Sequence, residues 1–128
     1  MSKIYVPSGE ESPDSQIGAT LEALANTIAS RRTCGVKSYT HKLLNEDESF
    51  LLGKVTEEAQ EVVEAAQEDN VDHLRYEAAD VLYHLMVVLE RHDISLDEFA
   101  AELNMRMKEN ERPYGGVLLH EAFVQRGK

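Results

Sequence analysis

The sequence lacks tryptophan, has a single cysteine and carries few positive charges for its 128 residues. With Cys34 alone the chain cannot form an internal disulfide, and one thiol is typical of a protein in a reducing compartment. No window approaches the roughly 18 consecutive apolar residues of a membrane-spanning helix. The N-terminal residues also lack the apolar core of a signal peptide. We therefore expect a cytoplasmic protein of one domain.

The charge balance restricts the partners of the chain. Lysine and arginine number 13 against 24 aspartate and glutamate residues, which gives a formal net charge of −11 at pH 7. Such a surface repels nucleic acids and anionic membranes, so neither is an expected partner. A small polyanionic ligand is still compatible with this charge if metal ions neutralise its phosphates.

Helical periodicity organises most of the chain. Polar residues 1–15 predict a flexible N-terminal arm, and apolar residues at three- and four-residue steps then predict a helix that ends near Arg31. Residues 32–48 are predicted to form a loop or short turns. We predict further helices at about 49–67, 71–91 and 96–108, an all-α domain over 16–110, and a C-terminal tail over 111–128. The expected architecture is an antiparallel bundle of four to five helices.

Signals at the ends of these helices support the assignment. Asn70 has the chemistry of an N-cap for the helix at 71–91. Ser95 and Glu98 have the spacing of a capping box, which predicts the start of the last helix. The closing segment from Val117 has the composition of either a short helix or a strand, and its residues do not decide between them.

The predicted helix at 71–91 holds two acids in an otherwise apolar run, YEAADVLYHLMVVL. Glu77 and Asp80 lie about one turn apart, and apolar residues cover both sides of the helix. A helix that is apolar all round is normally buried. Burial of a carboxylate is costly unless a partner charge, hydrogen bonds or a metal compensates it. The two acids therefore need a compensating group.

A second pair of acids at the same spacing lies on the preceding helix. Glu58 and Glu61 project from one helix face, and the short predicted turn at 68–70 makes the two helices antiparallel neighbours. Four converging carboxylates would repel one another and take up protons unless cations bind between them. Oxygen ligands of this kind select Mg²⁺, Mn²⁺ or Ca²⁺.

Structural explanations compete with a metal site. Glu77 and Asp80 can form salt bridges, with Arg75, Arg91 or a basic residue of another helix. His84 can be an outer partner of Asp80 or a hydrogen-bonded core histidine. The acids of the helix at 49–67 also lie opposite an apolar stripe, so they can form a solvated face. That stripe comprises Leu52, Val55, Ala59, Val62, Val63 and Ala66.

The acidic pattern resembles a known family signature. Glu-Glu-x-x-Glu at 57–61, followed after fifteen residues by Glu-x-x-Asp at 77–80, resembles that of the all-α, MazG-like nucleotide pyrophosphohydrolases. Within that group the chain is most similar to the phosphoribosyl-ATP pyrophosphohydrolases of histidine biosynthesis. The segments SYTHKLL at 38–44 and EAADVLYHLMVVL at 77–89, together with Lys54, carry this similarity. The resemblance covers residues 20–106.

The resemblance implies an intertwined homodimer that uses Mg²⁺, or Mn²⁺, to hydrolyse phosphoribosyl-ATP to phosphoribosyl-AMP and pyrophosphate. By motif position the metal ligands would be Glu58, Glu61, Glu77 and Asp80. The residues expected to serve catalysis are Glu57, Glu58 and Glu61, with Glu57 a further ligand or a base that orients water. The residues expected to contact the substrate are Ser38, Tyr39, Thr40, Lys42 and Lys54.

A basic cluster in the otherwise acidic chain has two interpretations. Arg31, Arg32, Lys37 and Lys42 could bind the second phosphate, on the extra ribose of phosphoribosyl-ATP. The two arginines also suit a helix C-terminus, where positive charge favours the helix dipole. Two other functions stay open: a house-cleaning nucleoside triphosphate pyrophosphohydrolase with the same metal site, and a non-catalytic acidic helical dimer.

Overall fold

The computed structural model describes Lys3 and residues 15–118, which divide into one unit that ends at His92 and a second that begins at Asp93. The predicted all-α class is confirmed, because the described residues form helices and no strand. The helices are α1 (Ile17–Ser30), α2 (Tyr39–Asn45), α3 (Glu48–Gln67), α4 (Val71–Arg91) and α5 (Leu96–Asn104), followed by a 3₁₀ turn (Glu109–Glu111). The predicted limits of arm, domain and tail stay predictions, and the closing segment from residue 119 lies outside the described residues.

The prediction of a loop over residues 32–48 is wrong at α2. The Ser38 hydroxyl accepts a hydrogen bond from the backbone N–H of His41 at 3.0 Å and so caps the N-terminus of α2. Leu43 and Leu44 are buried and anchor the helix against its neighbours. A helix of seven residues is too short to show clear periodicity, because its stability comes from this burial rather than from its own sequence.

The helices α3 and α4 form a hairpin, as predicted, and make the most extensive contact between helices in the first unit. Asp69 adopts a left-handed conformation, with φ of 57°, in the turn between them. The side chain of Asn70 accepts a hydrogen bond from the N–H of His73 at 3.1 Å, which confirms the predicted N-cap. The short connection places the two helices side by side and antiparallel.

The face of α3 that packs inward differs from its apolar stripe. Leu51, Glu58 and Ala65 lie at seven-residue steps and are buried, although one of them is an acid. Leu52 and Val63, from the apolar stripe, are 46% and 47% exposed. The fold of this chain therefore buries a carboxylate on α3 and leaves an apolar surface uncovered.

In the second unit, the predicted capping box is confirmed at the start of α5. The Ser95 hydroxyl accepts from the N–H of Glu98 at 3.1 Å, and the Glu98 carboxylate accepts from the N–H of Ser95 at 3.3 Å. The predicted end of this helix near Lys108 is wrong, since α5 ends at Asn104. The side-chain amide of Asn104 donates to the carbonyl of Val117 at 2.7 Å, and the main-chain carbonyl of Asn104 accepts from Arg112 at 2.8 Å. The segment after α5 therefore folds back onto Asn104.

Within Lys3 and residues 15–118, every helix is too short or too polar to cross a bilayer.

Candidate metal centre

Three acids from the α3–α4 hairpin converge on one point. Glu58 of α3 and both Glu77 and Asp80 of α4 each offer an oxygen, and these oxygens lie within 4.8 Å of one another. Oxygens that share one hard cation, at bond lengths of about 2.0–2.6 Å, lie up to about 5 Å apart. The arrangement therefore has the ligand type and the dimensions of a divalent cation site.

Two carboxylate oxygens of these acids meet no hydrogen-bond donor among the described residues. Glu58 is 4% exposed and Glu77 is fully buried, and neither Oε2 of Glu58 nor Oε1 of Glu77 meets a hydrogen-bond partner among the described residues. A buried acceptor without a donor costs free energy, and neighbouring carboxylates cannot donate unless one of them holds a proton. A bound cation would satisfy both oxygens at once. The residues present therefore fit a hard divalent metal ion.

Without a cation, the cluster retains a proton on Glu58. Burial raises the pKa of Glu58 to about 8, and hydrogen bonds to Asp80, Glu77 and Glu61 act in the same direction. An acid-to-acid hydrogen bond of this kind requires one member to be protonated. Glu61 contributes to the raised pKa of Glu58 and to the lowered pKa of Glu77, so it lies close to the cluster, although it is not one of the three converging acids.

The pKa of the neighbouring Glu77 is shifted in the opposite direction. Its burial acts to raise its pKa, but hydrogen bonds from Lys3, Glu61, Glu58 and His73 outweigh burial and lower the pKa to about 2. Glu77 is therefore the ionised member of the pair and Glu58 the protonated one. Such a separation of two adjacent carboxyls is the behaviour of a crowded acidic site.

Two partners of Glu77 were not expected from the sequence. The Lys3 ammonium forms an ion pair with Oε2 of Glu77 and lies 3.2 Å from Nε2 of His73. His73 places the same Nε2 atom 3.0 Å from Oε2 of Glu77. His73 and Glu77 are four residues apart on one helix, a spacing that indicates contact between their side chains. Lys3 lay within the predicted arm, where no local pattern indicated a contact 74 residues away.

The salt-bridge interpretation of the buried acids therefore holds in part. Glu77 does have a basic partner, but that partner is Lys3 rather than one of the predicted arginines. Arg75 bonds to Asp72 at 2.7 Å, and Arg91 donates to the carbonyl of Leu43 at 2.8 Å. Lys3 reaches Oε2 of Glu77, and Oε1 has no donor within Lys3 and residues 15–118.

Lys54 lies beside the acidic cluster. Its ammonium is 3.5 Å from Oε1 of Glu58 and 3.3 Å from Oε2 of Glu57. Glu57 itself is exposed and is not among the three converging acids. The structure thus places Lys54 at the rim of the cluster and Glu57 on the solvent side of Lys54.

The predicted substrate segment 38–44 is tied to the acidic helix through its first turn. The hydroxyl of Tyr39 bonds to Nε2 of His84 at 2.9 Å, and Thr40 bonds to the hydroxyl of Tyr83 at 2.5 Å. Ser38 serves as the N-cap of α2. The contacts of Tyr39 and Thr40 bring this segment next to the helix that carries Glu77 and Asp80.

The predicted basic residues have different surroundings. Arg32 pairs with Glu90 at 2.5 Å, and the guanidinium of Arg31 bonds to Ser30 at 3.2 Å, close to the end of α1. Lys42 lines a pocket of about 440 Å³ in the first unit. The other residues that line it are Tyr39, Leu43, Glu46, Asp47 and Phe50. Substrate binding by these residues stays a prediction.

The helical hairpin and its buried carboxylates define a protein able to hold a divalent cation between two helices. Comparison with known proteins identifies the family. Residues 21–107 match the family model described as phosphoribosyl-ATP pyrophosphohydrolase. This match spans more than half of the chain, so the chain belongs to the phosphoribosyl-ATP pyrophosphohydrolase family.

Individual relatives agree with the family model. The chain is 43% identical over 89 residues to a phosphoribosyl-ATP pyrophosphatase of Metallosphaera sedula, covering 69% of this chain and 96% of the relative. It is 43% identical over 88 residues to phosphoribosyl-ATP pyrophosphatase 1 of Bradyrhizobium diazoefficiens, covering 68% and 83%. A phosphoribosyl-ATP pyrophosphatase of Neisseria meningitidis is 38% identical over 89 residues, covering 69% and 83%.

The titration of Glu58 predicts how the stability of the metal-free protein depends on pH. Its folded-state pKa of about 8 lies above the ordinary value of 4.5, so the folded protein holds a proton that the unfolded chain releases between these values. The free energy of unfolding should therefore fall as pH rises through this window, by up to about 1.4 kcal/mol per pH unit. Glu77, with a pKa of about 2, is ionised in both states there and adds no slope.

Urea unfolding in the presence of EDTA, at several values between about pH 5 and pH 8, measures this slope. Glu58→Gln should flatten it, because glutamine does not titrate. Glu64→Gln, which removes an exposed acid from the same helix, is the matched control and should leave the slope unchanged. Equal slopes in the wild type and both variants would contradict the assignment of the proton to Glu58.

Proposed function

We propose that this chain hydrolyses phosphoribosyl-ATP to phosphoribosyl-AMP and pyrophosphate, as a cytoplasmic enzyme of histidine biosynthesis. Its membership of the phosphoribosyl-ATP pyrophosphohydrolase family supports the reaction. The observation that carries the proposal is a pair of buried carboxylate oxygens, on Glu58 and Glu77, that meet no donor among the residues that the structure describes. In a non-catalytic bundle two such groups would only lower the stability of the fold, whereas in a metal-dependent hydrolase they would bind the metal ion.

The cation expected at this centre is Mg²⁺, with Mn²⁺ as a substitute. Its ligands would be Glu58, Glu61, Glu77 and Asp80. When bound, the metal ion would neutralise the triphosphate, lower the pKa of a water molecule and stabilise charge on the leaving pyrophosphate. Glu58 has to release its proton before it can serve as a metal ligand. In the absence of the metal ion, the ammonium of Lys3 provides positive charge beside Glu77.

The groups around the cluster have complementary roles in this proposal. Glu57, exposed beside the cluster, would orient the attacking water and accept its proton. Lys54, 3.5 Å from Glu58, would contact the phosphates. Ser38, Thr40 and Lys42 would bind the rest of the substrate, together with Tyr39, Arg31 and Arg32. Release of Arg32 from Glu90 would be required for the last of these to reach a phosphate.

A second copy of the chain would cover the exposed stripe of α3. Leu52, Ala59 and Val63 lie within about 20° of one line along the helix, and all three are exposed. An apolar surface of this kind on a helix marks an interface rather than a solvated face. We therefore propose a homodimer in which α3 contacts the partner chain.

Pyrophosphate release in the presence of Mg²⁺ tests the reaction. The wild type should hydrolyse phosphoribosyl-ATP far faster than ATP, dUTP or dCTP, because the family's substrate carries a second phosphoribosyl group. Glu77→Gln should lower the rate by at least about 100-fold, since it removes one charged ligand from the cluster. Glu64→Gln, outside the cluster, should retain the wild-type rate.

The results of this assay separate the alternatives. Preference for dUTP or another simple nucleotide would agree with the proposed metal centre but would contradict the role in histidine biosynthesis. The absence of turnover with every substrate would favour the non-catalytic helical dimer.

Light scattering coupled to gel filtration tests the dimer. Val63→Lys places a charge within the apolar stripe and should convert the dimer to a monomer, because an unpaired buried lysine is costly. Gln60→Lys adds the same charge at an exposed position of α3, about 60° around the helix from Val63 and about 80° from the middle of the stripe, and should leave the dimer intact. A wild-type protein that is monomeric at micromolar concentration would contradict the proposal.

A further inference from the structure

His84 is almost fully buried, at 2% exposure, and both of its ring nitrogens are engaged. Nδ1 lies 2.8 Å from the main-chain carbonyl oxygen of Asp80 and 3.4 Å from Oδ1 of the same residue. Nε2 lies 2.9 Å from the hydroxyl of Tyr39. A carbonyl oxygen only accepts, so Nδ1 carries hydrogen, and in the neutral ring Nε2 accepts the hydrogen of the Tyr39 hydroxyl.

The aromatic rings around this chain of hydrogen bonds hold it in place. The ring of His84 lies edge-on to both tyrosine rings, and its centroid is 4.9 Å from that of Tyr83 and 5.8 Å from that of Tyr39. The two tyrosine rings stack with their centroids 6.4 Å apart. Tyr83 bonds through its hydroxyl to Thr40 and not to the histidine. Consecutive residues of α2 therefore bond to consecutive residues of α4, which restricts the position and the rotation of the imidazole ring.

We propose that His84 and Tyr39 are positioning residues for Asp80 in the metal centre. The hydroxyl of Tyr39 fixes the ring of His84, and the Nδ1–H of His84 holds the backbone and the carboxylate of Asp80 in the orientation that faces Glu58 and Glu77. This inference rests on the proposed function, because it requires Asp80 to be a metal ligand. Outer partners of this kind typically change metal affinity by about 10–100-fold when they are removed.

A pair of histidine substitutions isolates the bond to Asp80. His84→Asn retains an N–H donor at the position of Nδ1, whereas His84→Gln places its amide at the position of Nε2 and has no donor near Asp80. Both variants lose the ring, and glutamine retains one methylene group more than asparagine. Weaker binding in His84→Gln than in His84→Asn is therefore not explained by a greater loss of packing. His84→Gln should weaken Mn²⁺ binding by about tenfold or more, and His84→Asn should restore most of the affinity.

A pair of tyrosine substitutions tests the other hydrogen bond of His84, the bond from the hydroxyl of Tyr39. Tyr39→Phe and Tyr83→Phe each remove one hydroxyl and one hydrogen bond and retain the ring. Only Tyr39→Phe should weaken Mn²⁺ binding, by several-fold, because only the hydroxyl of Tyr39 bonds to His84. These variants retain the aromatic packing, so they still report if the histidine variants fail to fold.

Titration of the full-length protein with Mn²⁺, followed by the electron paramagnetic resonance signal of free Mn²⁺, measures the affinities directly. Unchanged affinity in Tyr39→Phe and His84→Gln, or equal losses in the two histidine variants, would overturn the positioning role while the metal centre stands. A wild-type protein that binds no Mn²⁺ would overturn the metal centre itself and this inference with it. The same titration therefore distinguishes failure of the positioning role from failure of the metal centre.

Discussion

The crowding of carboxylates between α3 and α4 has an electrostatic cost that the surrounding residues offset. Glu58 and Glu77 are buried, and in the described part of the chain each has one oxygen without a donor. The cluster responds by keeping a proton on Glu58 and by drawing the ammonium of Lys3 against Glu77. Both responses reduce the repulsion among the carboxylates. Neither response supplies a donor to the two oxygens named above. A divalent cation between these carboxylates would satisfy both oxygens and offset the repulsion.

The surrounding fold maintains this costly arrangement. The short turn with Asp69 in a left-handed conformation holds α3 and α4 side by side, so the acids cannot separate without opening the hairpin. The bonds from Tyr39 and Thr40 attach α2 to the same helix. One small helix thus connects the acidic cluster with the pocket lined by Lys42 and Phe50. The cluster and the expected substrate side belong to one packed unit.

Local sequence patterns were sufficient to predict the hairpin and its acids, because three-residue spacing, a polar turn and an N-cap act within a few residues of one another. They did not predict α2, whose seven residues are held by burial of Leu43 and Leu44. The contact of Lys3 with Glu77 could not be predicted either, because nothing near Lys3 in the sequence indicates a partner so distant along the chain. Periodicity also identified the apolar stripe of α3, but it does not distinguish a core from an interface with another chain.

Thermal unfolding of the wild type and Glu77→Gln across a Mg²⁺ titration tests the central claim most directly. A cation that binds only the folded state adds about 2.7 kcal/mol of stability at a concentration 100 times its dissociation constant. For a chain of this size that gain raises the melting temperature by several degrees. We expect this rise in the wild type and its loss in the variant. A wild-type melting temperature that does not change with Mg²⁺ would contradict the binding of a cation at these carboxylates.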